Sequence, residues 1–209
     1  GQGFDLVYGL PNRKATAVCA RAGLAKVAHV HRYVKLLRTR ERLATRLPAA
    51  AAGVASVFAD HWLALADRGR GWRDARGWRC EPASWGDGFV DEVWARRDVQ
   101  TLLSERSAAA LAWRFDAGRR GAWRLSRIDD AAGAPAGWFV WRRDGDGGDA
   151  EVGDFFLAAA PRHATQAVTV FANMLRDEGI GAISMELLAG AALDAALAAA
   201  GMSRRDDAM

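Results

Sequence analysis

The feature that most constrains the fold is a pattern that occurs twice, at the start of the chain and near its end. Residues 4–34 show a short strand, a turn, a helix, a glycine stop and a second strand. Moving this stretch by 178 positions places Gly23 on Gly201 and Ala15 on Leu193. A strand–helix–strand unit cannot bury its apolar face alone, so each copy requires a sheet around it. The sequence therefore predicts the end of one domain, a linker, and a nearly complete second copy.

The second copy has a recognisable order of predicted elements. Two helices come first, and Asp87 is expected to cap one of them and Ser104 or Ser107 the other. Three strands follow, "AWRLSRID", "GWFVWRRD" and "AEVGDFFLA", separated by turn-forming segments and predicted to form an antiparallel meander. Trp138 and Trp141 are an odd number of residues apart, so they are expected on opposite faces of the sheet. A helix opened by Thr165, a strand, a helix and the start of a strand complete the copy.

A predicted helix over residues 48–67 lies between the two copies. Its apolar side chains recur at helical spacing and arginines flank both ends; the apolar residues are Val54, Val57, Phe58, Trp62 and Leu65. Two interpretations remain open: a linker helix packed on a neighbouring domain, and a helix that lies on a membrane surface.

Composition and charge exclude several classes of protein. Of the 209 residues, 51% are hydrophobic and 26% are charged, as in soluble globular proteins. The net charge of +4 is scattered, and no basic run indicates nucleic-acid binding. Cys19 and Cys80 are far apart and match neither a disulfide framework nor a zinc pattern. With no signal peptide at the start, a cytoplasmic protein is expected.

The repeated unit resembles a known superfamily. In the GNAT N-acyltransferases the closing unit often has Asn, Ala, Tyr, Gly and Phe at fixed spacings, and here these positions hold Asn12, Ala15, Cys19, Gly23 and Leu24. The resemblance implies an α/β protein with a GNAT-like mixed sheet and flanking helices, similar to tandem, FemAB-like members.

The resemblance also implies a division of the chain. Residues 1–38 would be the closing strand–helix–strand unit of a first domain whose other parts lie upstream. Residues 39–75 would be a linker helix region, and residues 76–209 the second domain. Residues 4–34 without their own sheet are expected either to pack on the second domain or to be mobile.

For chemistry, the resemblance implies acetyl-CoA or another acyl-CoA as co-substrate. Its pyrophosphate would bind a glycine-rich turn at a helix N-terminus, where backbone N–H groups face the anion. The corresponding segment here is "AAAPRHATQAVTV", in which Ala167 and Thr169 are counted at the glycine positions. Cofactor-binding candidates are therefore Arg162, His163 and Thr165, which could equally be surface and capping residues. Residues 76–209 alone are expected to bind acetyl-CoA weakly or not at all.

The first copy supplies the other two candidates. Cys19 stands where the family often has a tyrosine general acid, and a thiol can protonate a thiolate poorly. Cys19 could instead be a small buried apolar side chain. Asn12 carries over as a residue near the pantetheine arm, or it caps the first helix.

The resemblance thus implies an acyl-CoA-dependent N-acyltransferase with an amine acceptor, either a small molecule or a cell-surface precursor. Two alternatives remain open: a non-catalytic GNAT-like interaction or stabilising module, and a FemAB-type aminoacyl transferase. No metal site is expected. His29 and His31 share a strand face without a third ligand, and "DGDGGD" lacks the later glutamate of a calcium loop.

Overall fold

The described residues form a seven-stranded mixed sheet with helices on both faces, so the predicted α/β fold is confirmed. The computed structural model describes residues 13–25, 28–39, 43–44, 48–71, 75–98, 103–115, 123–144 and 148–205. The helices are α1 (Arg13–Arg21), α2 (Ala49–Gly71), α3 (Phe89–Ala95), α4 (Ala108–Phe115), α5 (Ala164–Asp177) and α6 (Ala191–Ala199). The strands are β1 (His31–Leu36), β2 (Arg79–Ala83), β3 (Arg124–Asp129), β4 (Pro135–Asp144), β5 (Asp149–Leu157), β6 (Ala182–Leu187) and β7 (Ser203–Arg205).

The strands are arranged in the order β2-β3-β4-β5-β6-β1-β7. Strands β3, β4 and β5 form the predicted antiparallel meander, and β2 extends it by one strand. The crossover through α5 then makes β6 parallel to β5. The pair β5–β6 is therefore parallel, and the strand pairs on both sides of it are antiparallel.

Strand β1 occupies an unexpected place between β6 and β7. It pairs antiparallel with both, from His31↔Leu187 to Leu36↔Ala182 on one side and from Arg32↔Arg205 to Val34↔Ser203 on the other. This strand belongs by sequence to the range predicted to close a first domain, yet it completes the sheet of residues 76–209. The division of the chain at residues 38 and 75 stays a prediction.

Two apolar cores lie on opposite faces of the sheet. One is formed under α5 and α6 around Phe139, Trp141 and Phe171, and the other under α3 and α4 around Trp138 and Val140. Residues 138–141 thus alternate between the two cores, which confirms the prediction for the two tryptophans. We call the two faces of the sheet the α5 face and the α4 face.

The helix ends show which capping predictions hold. Ser107 Oγ accepts from the amide of Ala110 at 3.4 Å, so Ser107 caps α4 as one of the two predicted candidates. The prediction for Asp87 is wrong, because Gly88 stands at the N-cap of α3 without a side-chain bond. The amide and hydroxyl of Ser84 donate to the Asp87 carboxylate instead, at 2.8 Å each, and they lower the pKa of Asp87.

Helix α2 packs on the sheet through its acidic residues. Asp60 accepts from the amide and hydroxyl of Thr39, and Asp67 bonds with Lys35 and Arg176. Four of its apolar residues are exposed, Phe58 at 74% and Trp62 at 73% together with Val57 and Leu65. None of the described helices is both long enough and apolar enough to cross a membrane.

Candidate functional site

Strands β5 and β6 pair along only part of their length, and we call the gap beyond their last pair the opening. The parallel pairing covers only Ala150↔Ile183 to Val152↔Met185, although β5 continues to Leu157 and β6 to Leu187. At the same level the pairing of β5 with β4 shifts: Trp141 pairs with Val152 and Val140 with Asp154. Gly153 is therefore the extra residue of a β-bulge. A bulge bends the strand and increases its twist, which accounts for the separation of β5 from β6.

Glycine is required at this bulge because there is no room for a side chain. A Cβ on Gly153 would lie 2.6 Å and 2.7 Å from ring atoms of Trp123 and 2.8 Å from Phe115. These two aromatic rings pack edge to face with their centroids 5.0 Å apart, and they cover the α4 face of the sheet beside the opening. Packing at Gly153 thus fixes the shape of β5 at this position.

The bulge also changes the direction of Asp154. Without the extra residue, the alternation that places Val152 on the α5 face would place Asp154 there too. The bulge turns Asp154 to the α4 face, where it accepts from Trp138 Nε1 at 2.9 Å and from Arg106 Nε at 2.8 Å. The carboxylate is buried, and both of its oxygens are bonded. It fixes the segment before α4 to β5, next to the opening.

The N-terminus of α5 lies at the end of the turn that follows β5. Helix geometry leaves the amides of Thr165 and Gln166 without partners inside the helix, because the first bond runs from Ala167 to the carbonyl of His163. Arg162 is exposed beside them, and the ring of His163 packs on Trp78 with centroids 5.1 Å apart. This end of α5 can therefore bind an anionic group through two amides, its dipole and one guanidinium.

Counting along the sequence put Ala167 and Thr169 at the glycine positions of a phosphate-binding turn, and the structure shows that they do not lie in a turn. Both are buried in the second turn of α5, and Thr169 Oγ1 donates to the carbonyl of Thr165 at 2.7 Å. They cannot face a ligand at the helix start. Residues 158–166 hold no glycine, so the turn lacks a glycine-rich cradle. Thr165 Oγ1 donates to the carbonyl of Ala196, which leaves its amide rather than its hydroxyl for an anion.

Arg162, His163 and Thr165 lie together at one helix end, and their role in binding a cofactor stays a prediction. The fit to acyl-CoA is unequal along the molecule. The opening between β5 and β6 suits an extended thioester arm, whose amides can pair with the separated strand edges. The helix end suits one phosphate group, with fewer donors than a glycine-rich turn provides.

Cys19 and Asn12 are not brought to this helix end by the described structure. Asn12 lies outside the described residues. Cys19 is half-buried on α1, and among the described residues no hydrogen bond joins its side chain to Arg162, His163 or Thr165. In the second copy the equivalent positions are Gly190 and Leu197, and Leu197 is fully buried. Helix α6 thus offers no proton donor where α1 has Cys19.

Apart from the opening between β5 and β6, a surface depression lies between β2 and α5. It has a volume of about 420 Å³ and its walls include Trp78, Cys80 and Met174. Burial, and then the charges of Asp129 and Glu81, raise the pKa of the Cys80 thiol well above its ordinary value. Cys80 is therefore protonated at neutral pH and is a poor nucleophile.

Metal ligation finds no support in the described part of the chain. No three His, Cys, Asp or Glu residues come together there in a way that could hold an ion. The rings of His29 and His31 stack with centroids 6.2 Å apart.

Sequence reasoning missed the residues that shape the opening. Gly153 interrupts an otherwise apolar and acidic strand, and an isolated glycine within a strand is a known signal for a bulge. Asp154 next to it was a further signal, because a carboxylate in a central strand needs partners. Arg106 could not be identified from sequence, since it lies 48 residues away and ahead of a helix.

Comparison with known proteins agrees with this geometry at the level of the fold. Neither a protein-family model nor a curated protein matches the chain. A solved structure from Enterococcus faecalis, described as a conserved protein of unknown function and "Probable N-Acyltransferase", matches 90% of this chain with a TM-score of 0.55 and 12% identity. This chain spans 40% of that protein's length.

Two further structures match less closely. A GCN5-related N-acetyltransferase from Sphaerobacter thermophilus has a TM-score of 0.47 and 12% identity over 93% of this chain and 54% of its own. L-PGS from Bacillus licheniformis has a TM-score of 0.41 and 10% identity over 87% of this chain and 54% of its own. The mixed sheet, its parallel crossover and its flanking helices are those of the GNAT-like acyltransferase fold.

Proposed function

We propose that the chain is part of an N-acyltransferase that moves an acyl group from a thioester, acetyl-CoA or another acyl-CoA, to an amine. The observation that carries this proposal is the opening between β5 and β6, produced by the bulge at Gly153. An extended thioester arm can lie there as an additional strand segment and pair with the free edges of both strands. Its phosphates would then reach the N-terminus of α5 and the side chain of Arg162.

The proposed reaction at this opening is acyl transfer from sulfur to nitrogen. The acceptor nitrogen attacks the thioester carbonyl carbon, a C–N bond forms and the C–S bond breaks. The nitrogen loses one proton to a base or water, and the sulfur gains one. Asp154 already binds Arg106 and Trp138 through both oxygens, so its role is to position the segment before α4. In the second copy no donor replaces Leu197, so water would protonate the thiolate.

Cys19 and Asn12 enter the proposal as residues of the first copy. In a FemAB-like tandem chain with a complete first copy, they would lie near the donor's sulfur, with Cys19 as general acid. Cys19→Ala would then lower turnover at saturating acyl-CoA with little change in donor binding, and Cys19→Tyr would restore it. Unchanged turnover in Cys19→Ala would contradict this role.

Calorimetric titration of the full chain with acetyl-CoA tests the donor site. Enzymes bind such substrates at about 1 μM–1 mM, and we expect a dissociation constant in the upper part of that range because the glycine cradle is lacking. Arg162→Glu should weaken acetyl-CoA binding at least about tenfold through repulsion of phosphate, and leave S-acetyl-pantetheine, which has no phosphate, unaffected. Arg114→Glu, an equal charge change on α4, is the matched control.

Hydrogen exchange locates the bound donor. Added acetyl-CoA should protect the amides of residues 153–157 on β5 and 186–187 on β6. Absence of acetyl-CoA binding at millimolar concentration, with no new protection at these strands, would contradict the proposal and support a non-catalytic module. No described residue favours a donor carried on tRNA.

A further inference from the structure

A row of charged side chains crosses the three strands beyond the opening. Along β1 the buried Tyr33 and Lys35 lie on the α5 face, where they bond with Asp194 and Asp67. Arg32 points to the opposite face and is exposed. Its directly opposite neighbours are Glu186 on β6 and Arg205 on β7, both exposed. The order across the sheet is therefore Glu186, Arg32, Arg205, and we call this set the charged row.

The charged row lies on the same face as Asp154. Ser184 pairs with Glu151, and Glu151 bonds with Arg142, whose guanidinium lies 4.7 Å from the ring of Trp123 on the α4 face. Glu186, two residues after Ser184, has the same orientation.

The row also begins at the opening. The last parallel pair is Val152↔Met185, so Gly153 and Glu186 are the first residues of the two strands beyond it. Glu186 thus stands across the opening from the bulge at Gly153.

Among the residues that the structure describes, no ion pair balances these charges. Arg32 Nε donates to Ser184 Oγ at 2.9 Å rather than to Glu186. Within the described ranges, neither Arg32, Arg205 nor Glu186 forms an ion pair. Two like charges directly opposite each other on neighbouring strands destabilise a sheet. A ligand anion between the two arginines would remove this repulsion.

We propose that the charged row is the acceptor subsite and that it binds a small zwitterion, an amino acid or a similar molecule with an amine and a carboxylate. The ammonium group pairs with Glu186 beside the opening, and the carboxylate accepts from Arg32 and Arg205. Neighbouring strands lie about 4.8 Å apart. The side chains of the charged row are flexible, so their charged groups can come close enough to contact both the amine and the carboxylate of one amino acid. This inference rests on the proposed function, because only an acyl donor at the opening makes the amine an acceptor.

Direct binding tests the subsite without any assay of activity. The full chain is titrated calorimetrically with each of the common amino acids and with the corresponding amino-acid amides, which keep the amine and lack the carboxylate. At least one amino acid should bind at least about tenfold more tightly than its amide, a loss typical for an unpaired charged contact. Arg32→Gln should reduce the affinity for the amino acid towards that for its amide, because Arg205 alone then holds the carboxylate, and should leave the affinity for the amide unchanged. Glu186→Gln should weaken both.

Arg204→Gln is the matched control. Arg204 directly precedes Arg205 on β7 but points to the other face, where its Nη1 lies 3.9 Å from Asp194 Oδ2. The Arg204→Gln variant should therefore bind the amino acid normally. Equal affinity for acids and amides, equal loss in Arg204→Gln, or no amino-acid binding at all would overturn the subsite. These outcomes are separate from the proposed function, since acetyl-CoA binding at the opening is measured independently.

Discussion

Helices α1 and α6 end in the same way but are buried to different extents. In both, a glycine at φ of 81–82° follows the helix, and the next residue donates to the carbonyl five positions earlier at 3.0 Å: Leu24 to Cys19, and Met202 to Leu197. Leu197 and Met202 are buried, whereas Leu24 is exposed. The helix end depends on the local sequence, which the two copies share. Burial depends on the sheet beneath the helix, which the described structure provides for α6.

The largest test of this comparison is a pair of alanine variants at equivalent positions. Leu197→Ala removes a fully buried side chain and should lower the free energy of unfolding by roughly 2–5 kcal/mol. Cys19→Ala should change it by less than about 0.5 kcal/mol. Urea unfolding of the two variants measures both. Similar losses would mean that α1 is packed into the cooperative unit as firmly as α6.

A smaller effect is expected from the two glycines. Alanine at a left-handed backbone position costs about 1–2 kcal/mol. Gly201→Ala should lower the free energy of unfolding by this amount, because α6 unfolds with the sheet. At Gly23 nothing lies within 4 Å of an added Cβ, so the same backbone cost applies locally. Global stability should be almost unchanged in Gly23→Ala, because α1 can open alone. Equal shifts of the urea midpoint in both variants would contradict this expectation.

The smallest test compares the two thiols and requires no change in stability. The raised pKa of Cys80 keeps it protonated at pH 8, and only a thiolate reacts quickly with a disulfide reagent. One thiol per chain should therefore react fast, and Cys19→Ala should abolish that phase. Denaturation supplies the control, since both cysteines then react. A fast phase that persists in Cys19→Ala would show that Cys80 is reactive and α1 well covered.

The fold could be predicted from sequence where the evidence is local. Alternation at residues 138–141 placed the two tryptophans on opposite faces, and Gly179 and Gly201 marked helix ends at φ of 82° and 81°. The position of β1 could not be predicted, because its pairing joins segments about 150 residues apart and no short motif specifies such a register.

The candidate site was less accessible to prediction than the fold. The start of α5 was expected at Thr165 and lies one residue earlier, at Ala164, whereas Ala167 and Thr169, counted at the glycine positions of a phosphate-binding turn, are buried within α5. The bulge arises from tertiary packing of Trp123 and Phe115 against Gly153, which sequence spacing does not reveal. The charged row exists only because three distant strands meet.

The place of β1 has a consequence for how the chain is made. A ribosome adds about 5–20 residues each second, so β1 is synthesised roughly 8–30 s before β6, which lies about 150 residues later. During that interval both edges of β1 lack their partners, and an unpaired strand is a template for association with other chains. The sheet can close only when β6 and β7 have emerged, so a chaperone that shields residues 31–36 during translation should raise the yield of folded protein.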